Sequence, residues 1–152
     1  MPTTSGKIGR GVTLKMGDGA SPEQFAAIAN IVNIDGLEEQ LGTADATLLV
    51  STRQEIVPTL FQDGPVTLTA HFDPNHATQD DATGLRKALR DKTLKHFKID
   101  FSAAFSTGDN LCSFSAFVTR MTNGQITVDG LMEITVELTP DGSAAPVWGT
   151  AP

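Results

Sequence analysis

Residues 78–101 read TQDDATGLRKALRDKTLKHFKIDF, and this stretch decides the fold because its hydrophobic period changes midway. Ala82, Leu85, Ala88 and Leu89 recur at three- and four-residue spacing, an apolar stripe on one face of a helix able to lie on a sheet. Thr78 followed by Asp81 matches a capping box. Asp80 and Asp81 suit the N-terminal end of the helix dipole, and Arg86, Lys87 and Arg90 its C-terminal end, so a helix is expected over about 78–91. Gly84 opposes it by about 1 kcal/mol relative to alanine. Beyond Lys92 the period drops to two. Leu94, His96, Lys98 and Asp100 alternate with Lys95, Phe97, Ile99 and Phe101, which predicts a strand burying Phe97, Ile99 and Phe101. Everything else reads as β, so the expected fold is mainly β, with one flanking helix.

On the N-terminal side, Met1 to Gly11 is glycine-rich and polar and reads as a flexible arm. Val12 to Met16 is a short strand with Leu14 inward. Residues 25–34 are apolar at nearly every position, which fits either a strand buried on both sides or a short helix started at Ser21 and Pro22. Residues 35–64 read as a long loop, far beyond the usual ~4–6 residues. It holds two apolar islands, Leu48, Leu49 and Val50, then Ile56, Val57, Leu60 and Phe61, and such residues call for a covering partner. Pro65 to Phe72 alternates Val66, Leu68, Ala70 and Phe72 with Thr67, Thr69 and His71, a half-buried strand.

On the C-terminal side, Leu111 to Met121 is a strand with Cys112, Phe114, Ala116 and Val118 on one face. Leu131 to Leu138 is the last strand, with Met132, Ile134, Val136 and Leu138 inward and Glu133, Thr135 and Glu137 outward. Residues 140–152, rich in proline and glycine, read as a tail. The expected organisation is one domain over 12–139 between two terminal segments.

The chain has 152 residues and a net charge of −7, which disfavours nucleic-acid binding through a generally basic surface. Six of the eleven Lys and Arg lie between Asp80 and Asp100, a segregation suited to self-association. One cysteine, Cys112, excludes an intramolecular disulfide framework. No run approaches the ~18 apolar residues of a membrane span, and no export signal is legible, so synthesis in the cytoplasm is expected.

Motifs for chemistry are sparse. His71, Asp73 and His76 form H-x-D-x-x-H, a ligand set for zinc or iron, but Asp73, Pro74 and Asn75 explain themselves as a turn. His96 reads as a strand-rim residue and Cys112 as a buried small hydrophobe. There is no G-x-S-x-G turn and no phosphate loop. No enzyme, cofactor or metal is expected.

Taken in order, the segments resemble the tail tube, or major tail, proteins of long-tailed bacteriophages. The resemblance rests on Glu38 and Glu39 ahead of a D-x-T at Asp45 and Thr47, on EIVPTLFQDGPVTLTAHFDP from Glu55 to Pro74, on Leu85 to Phe101, and on Phe114 to Leu138 with Asp129 and Gly130 before the last strand. Thr59 departs from the glycine common after the loop proline, and the chain ends too soon for the additional immunoglobulin-like domain of some relatives. The resemblance implies a β-sandwich or barrel with one flanking helix, assembled as hexameric rings stacked into a hollow virion tube. Double-stranded DNA would pass through without specific binding. Tape measure, tail terminator and distal tail proteins would be the partners.

On that reading Leu48, Leu49, Val50, Ile56, Val57, Leu60, Phe61, Arg86 and Lys87 are candidates for contacts between subunits and rings. Glu133, Thr135, Glu137, Thr67 and Thr69 are candidates for the lumen. The alternatives are a soluble β-sandwich ligand-binding module, such as a carbohydrate-binding domain, and the tube protein of a bacterial injection system. The scarcity of aromatics, with one tryptophan and no tyrosine, weighs against the first.

Overall fold

The computed structural model describes residues 6–152, so the first part of the expected N-terminal arm lies outside the described residues. In chain order the elements are β1 (Thr13–Gly17), β2 (Phe25–Ala27), β3 (Ile31–Asp35), β4 (Glu39–Asp45), β5 (Ile56–Asp63), β6 (Val66–His71), α1 (Leu85–Asp91), β7 (Leu94–Asp100), β8 (Leu111–Asn123), β9 (Glu133–Pro140) and β10 (Val147–Gly149). The main sheet is antiparallel and runs β2-β1-β7-β8-β9-β6-β3, with β10 also on β8.

The two ends of that path, β2 and β3, are separated in the chain only by residues 28–30, so the sheet must curl until its edges meet. Ile28 is buried in this corner and its N–H donates to the Leu14 carbonyl at 2.9 Å, while the His71 N–H donates to the Asn30 carbonyl at 2.9 Å. Residues 25–34 are thus two short strands on opposite edges of the sheet, neither one long strand nor a helix. The bend between them needs a left-handed residue, supplied by Asn30 at φ 61°.

β8 serves both halves of the curl. Along one edge its residues 111–117 pair with β7; along the other, 111–113 pair with β10 and 116–123 with β9, with a bulge between Val118 and Arg120 that turns the strand. Inside lie the apolar sides of the strands: Leu14, Phe97, Ile99, Phe114, Leu68, Val136 and Leu138 are all buried, and Phe97 stacks on Phe114 at 5.7 Å. Each such side chain contributes about 1.5–3 kcal/mol through burial. The alternation expected for β6, β7, β8 and β9 is the one found, except that Met132 is exposed and Phe101 half-buried against Trp148.

Three expectations fail. The helix is shorter than 78–91, beginning only at Leu85, with Gly84 as its N-cap and no side-chain cap. Thr78 and Gln79 instead turn inward as polar pins. The Thr78 hydroxyl accepts the Ala29 N–H at 3.2 Å, and the Gln79 amide donates to the Ala29 and His71 carbonyls and accepts the Asp73 N–H at 3.0 Å. The Asp80 carboxylate caps the turn by accepting N–H groups of Ala82, Thr83 and Gly84, and these bonds hold its pKa below the usual carboxylate range. Gly84 is no flaw: a Cβ there would stand 2.5 Å from the Asp80 nitrogen.

The C-terminal segment is not a loose tail either. β10 pairs with β8, Trp148 stacks on Phe101, and buried Asn110 accepts the Ala151 N–H while donating to the Phe105 carbonyl at 2.8 Å. The third failure, the loop over 35–64, is taken up next.

Candidate assembly surfaces

Most of residues 35–64 form a hairpin. β4 and β5 make a two-stranded sheet of their own, in register from Glu39 opposite Asp63 to Asp45 opposite Ile56, with a slip between Leu41 and Thr43. The sequence hides these strands because neither face is buried, so no alternation marks them. At the root, Gly36 (φ 103°) and Leu37 (φ 60°) reverse the chain, and a Cβ on Gly36 would collide with the Pro65 carbonyl oxygen. The Gly64 N–H donates to the Glu38 carbonyl at 2.9 Å.

The hairpin tip is organised by small polar side chains. Asp45 accepts the Thr47 N–H at 2.9 Å, the Thr47 hydroxyl accepts the Glu55 N–H at 2.8 Å, and the Ser51 hydroxyl accepts the Leu48 N–H and donates to the Glu55 carboxylate at 3.1 Å. The Thr47 hydroxyl and N–H hold the Asp45 pKa below its ordinary value. The D-x-T of the sequence thus fixes a turn, and the turn holds Leu48, Leu49 and Val50 in solvent, Leu49 at full exposure. Ile56, Val57, Leu60 and Phe61 are exposed along β5, with Leu41 opposite Phe61. Monomeric proteins rarely keep so contiguous an apolar surface uncovered.

The sheet's polar face assembles the other sequence candidates. Thr67 stands opposite Glu137, Thr69 opposite Thr135 and His71 opposite Glu133, so all five candidates share one face of β6 and β9. β8 extends the rows with Arg120 opposite Glu137 and Thr122 opposite Thr135, and β3 adds Asp35 and Asn33. Sequence reading missed Arg120; unbroken alternation would have put it on the core side with Val118, and the Val118/Arg120 bulge moves it to the polar side.

Arg86 and Lys87 lie on α1, where each already has a partner in its own chain. Asp81 pairs with Arg86 at 3.8 Å and with Arg90 at 2.8 Å, Lys87 pairs with Asp91 at 2.9 Å, and Arg86 also lies over the Phe72 ring. Of the remaining basic run, Lys98 sits 4.0 Å from the centre of the Phe25 ring.

His71, Asp73 and His76 do not converge on a metal site. The His76 ring bonds the Thr78 hydroxyl at 2.8 Å, Asp73 accepts the Asn75 N–H, and no group of three or more ligating side chains occurs among the described residues. His96 pairs with Glu23 at 2.8 Å on the surface. Burial, aided by the Glu39 carboxylate, pushes the Cys112 thiol up to about 11.

No protein-family model and no curated protein sequence matches this chain. Solved structures do. A chain from the tail of an empty gene transfer agent particle, refined with C6 symmetry, superposes with TM-score 0.71 at 16% identity, covering 95% of this chain and 100% of that one. This chain has the tail-tube fold. The SPP1 tail tube has the same fold at TM-score 0.68 and 13% identity, covering 95% of this chain and 79% of that one. So does the tube-terminating cap of the anti-feeding prophage, at TM-score 0.67 and 13% identity over 99% and 95% of the two chains. Within the tail-tube fold of this chain, the β4–β5 hairpin is exposed and apolar, and the face of β6, β9 and β8 away from the core is polar.

Proposed function

We propose that this chain is the repeating subunit of a virion tail tube, a structural protein and not an enzyme, forming homomeric rings that stack into a hollow conduit for double-stranded DNA. The observation that carries the proposal is the apolar hairpin β4–β5, ordered at root and tip yet uncovered in the single chain. A head-to-tail contact that does not close on itself repeats along an axis, and a surface of this kind is what such a contact covers. The six-fold symmetry of the gene transfer agent tail supports six subunits per ring. The polar face of β6 and β9 would line the lumen, with Glu133 and Glu137 repeated around each ring and Arg120 offsetting part of their charge. A passing duplex then finds no basic girdle on which to dwell. Tape measure, terminator and distal tail proteins would be its partners.

Electron microscopy of the purified protein over a concentration series tests this. Stacked rings with a central channel are expected, and a protein that remains a monomer throughout would overturn it. The likeness to the anti-feeding prophage cap favours one second reading, the tube of a contractile injection system. Recovery of the native particle with a contractile sheath around the tube would select it.

A further inference from the structure

Of the chain's asparagines, Asn123 alone precedes a glycine. Asn30 and Asn33 precede isoleucine, Asn75 histidine and Asn110 leucine, whose side chains screen the next backbone nitrogen; Gly124 has no Cβ and leaves its nitrogen open to approach. An open nitrogen at this position is the nucleophile that closes a succinimide ring on an asparagine side chain.

The surroundings of the asparagines differ as well. The Asn110 amide is buried and tied to the Phe105 carbonyl and the Ala151 N–H. Asn123 is exposed at the last β8 position that pairs with β9, and every residue from Thr122 to Glu133 is exposed with it. The Gly124 N–H donates to the Glu133 carbonyl at 2.8 Å and closes the neck of this β8–β9 loop. While that bond stands, the proton on the nitrogen is engaged. Asn123, opposite Ile134, also keeps the extended backbone of a strand, which holds its amide carbon out of reach of the nitrogen. Segments with so little buried surface open locally at low cost.

We propose that Asn123 is a site of spontaneous deamidation, gated by opening of the β8–β9 loop at the Gly124–Glu133 bond. On opening, the Gly124 nitrogen attacks the Asn123 amide carbon and gives up its proton; the bond to the side-chain amino group breaks, and ammonia leaves with that proton. Water then adds to either carbonyl of the succinimide, giving an aspartyl or an isoaspartyl linkage with no change of oxidation state. Both products place a carboxylate in the depression that position 123 shares with Arg86 and Arg90. The isoaspartyl product also lengthens the backbone by a methylene, so the pairing with Ile134 cannot re-form as before. The mark is permanent and records how often this end of the sheet opens. It stands independently of the tube reading.

Peptide mapping by mass spectrometry tests this on the full-length protein held in mildly alkaline buffer, folded and in guanidinium chloride. In denaturant Asn123 is expected to convert first among the asparagines, and Gly124→Ala to slow it at least about tenfold. In the folded protein the same site converts at least about tenfold more slowly, and guanidinium below the unfolding transition speeds it. Reading Gly124→Ala in denaturant keeps the result independent of whether its Cβ, 3.3 Å from the Glu133 carbonyl oxygen, lets the loop close. Earlier conversion of another asparagine in denaturant, or an unchanged rate in Gly124→Ala, overturns the site. Equal rates in folded and unfolded protein overturn the gate, as does an Asn123 still intact in the folded protein long after the unfolded chain has converted fully.

Discussion

Gln79 shows how much one buried amide can hold. Its three bonds reach the Ala29 and His71 carbonyls and the Asp73 N–H, so it joins the β2–β3 corner to the end of β6 and to the turn before α1. Gln79→Ala strands those backbone groups away from water and is expected to lower stability by about 2 kcal/mol, read from urea unfolding midpoints. A loss below measurement error would show that water replaces the amide. Cys112, buried on the core face of β8 with its thiol pushed up to about 11, should resist a thiol reagent at pH 8 in the native protein and react fully once unfolded. Prompt native labelling would mean that β8 opens locally. The thiol's burial was legible from the alternation of the strand. The role of Gln79 was not, because a polar residue beside two aspartates resembles a helix start until the distant groups it binds are known.

At the scale of elements, the half-buried strands were legible and the hairpin was not. β6, β7, β8 and β9 each place one face in the core and so write a period of two into the sequence, whereas β4 and β5 bury neither face. Replacing Leu48, Leu49 and Val50 by serine should change stability by no more than about 0.5 kcal/mol per site, since nothing is buried there, yet abolish stacked tubes in electron micrographs. Long tubes from the triple variant would remove the tip from assembly. The tip is also acid-sensitive. Bonding depresses the folded pKa of Asp45, so its contribution to local order is fully present above the unfolded carboxyl value of about 3.9 and is lost as pH falls through the lower folded value. An NMR titration should place the Asp45 midpoint below that of an unstructured peptide; an equal midpoint would mean that the turn does not persist in solution. Pro58 adds a constraint of its own. The Ala46 N–H bonds the Glu55 carbonyl, which makes Thr43 and Pro58 a pair without mutual bonds, so the missing N–H of the proline faces away from β4 and blunts the outer edge of β5.

At the scale of the whole molecule, one helix on a curled antiparallel sheet could be anticipated, but not which strand closes on which. That pairing depends on contacts between residues far apart in the chain, which no local period encodes. The polar face carries the molecular prediction. Glu133→Lys with Glu137→Lys should leave folding and tube length unchanged, because both residues lie on the face away from the core, while particles built from the double variant release DNA slowly or stall. Normal delivery by such particles would take this face out of the lumen.

The closing corner also sets a timetable. β1 pairs with β7, and β3 with β6, so the first strands to leave the ribosome wait for partners made later, several seconds later for β1 at about 5–20 residues per second. The hairpin emerges before α1, β8 and the β8–β9 loop have been made. A nascent chain therefore carries its exposed apolar hairpin for some seconds before the sheet beneath it can close, an interval in which that surface is open to aggregation.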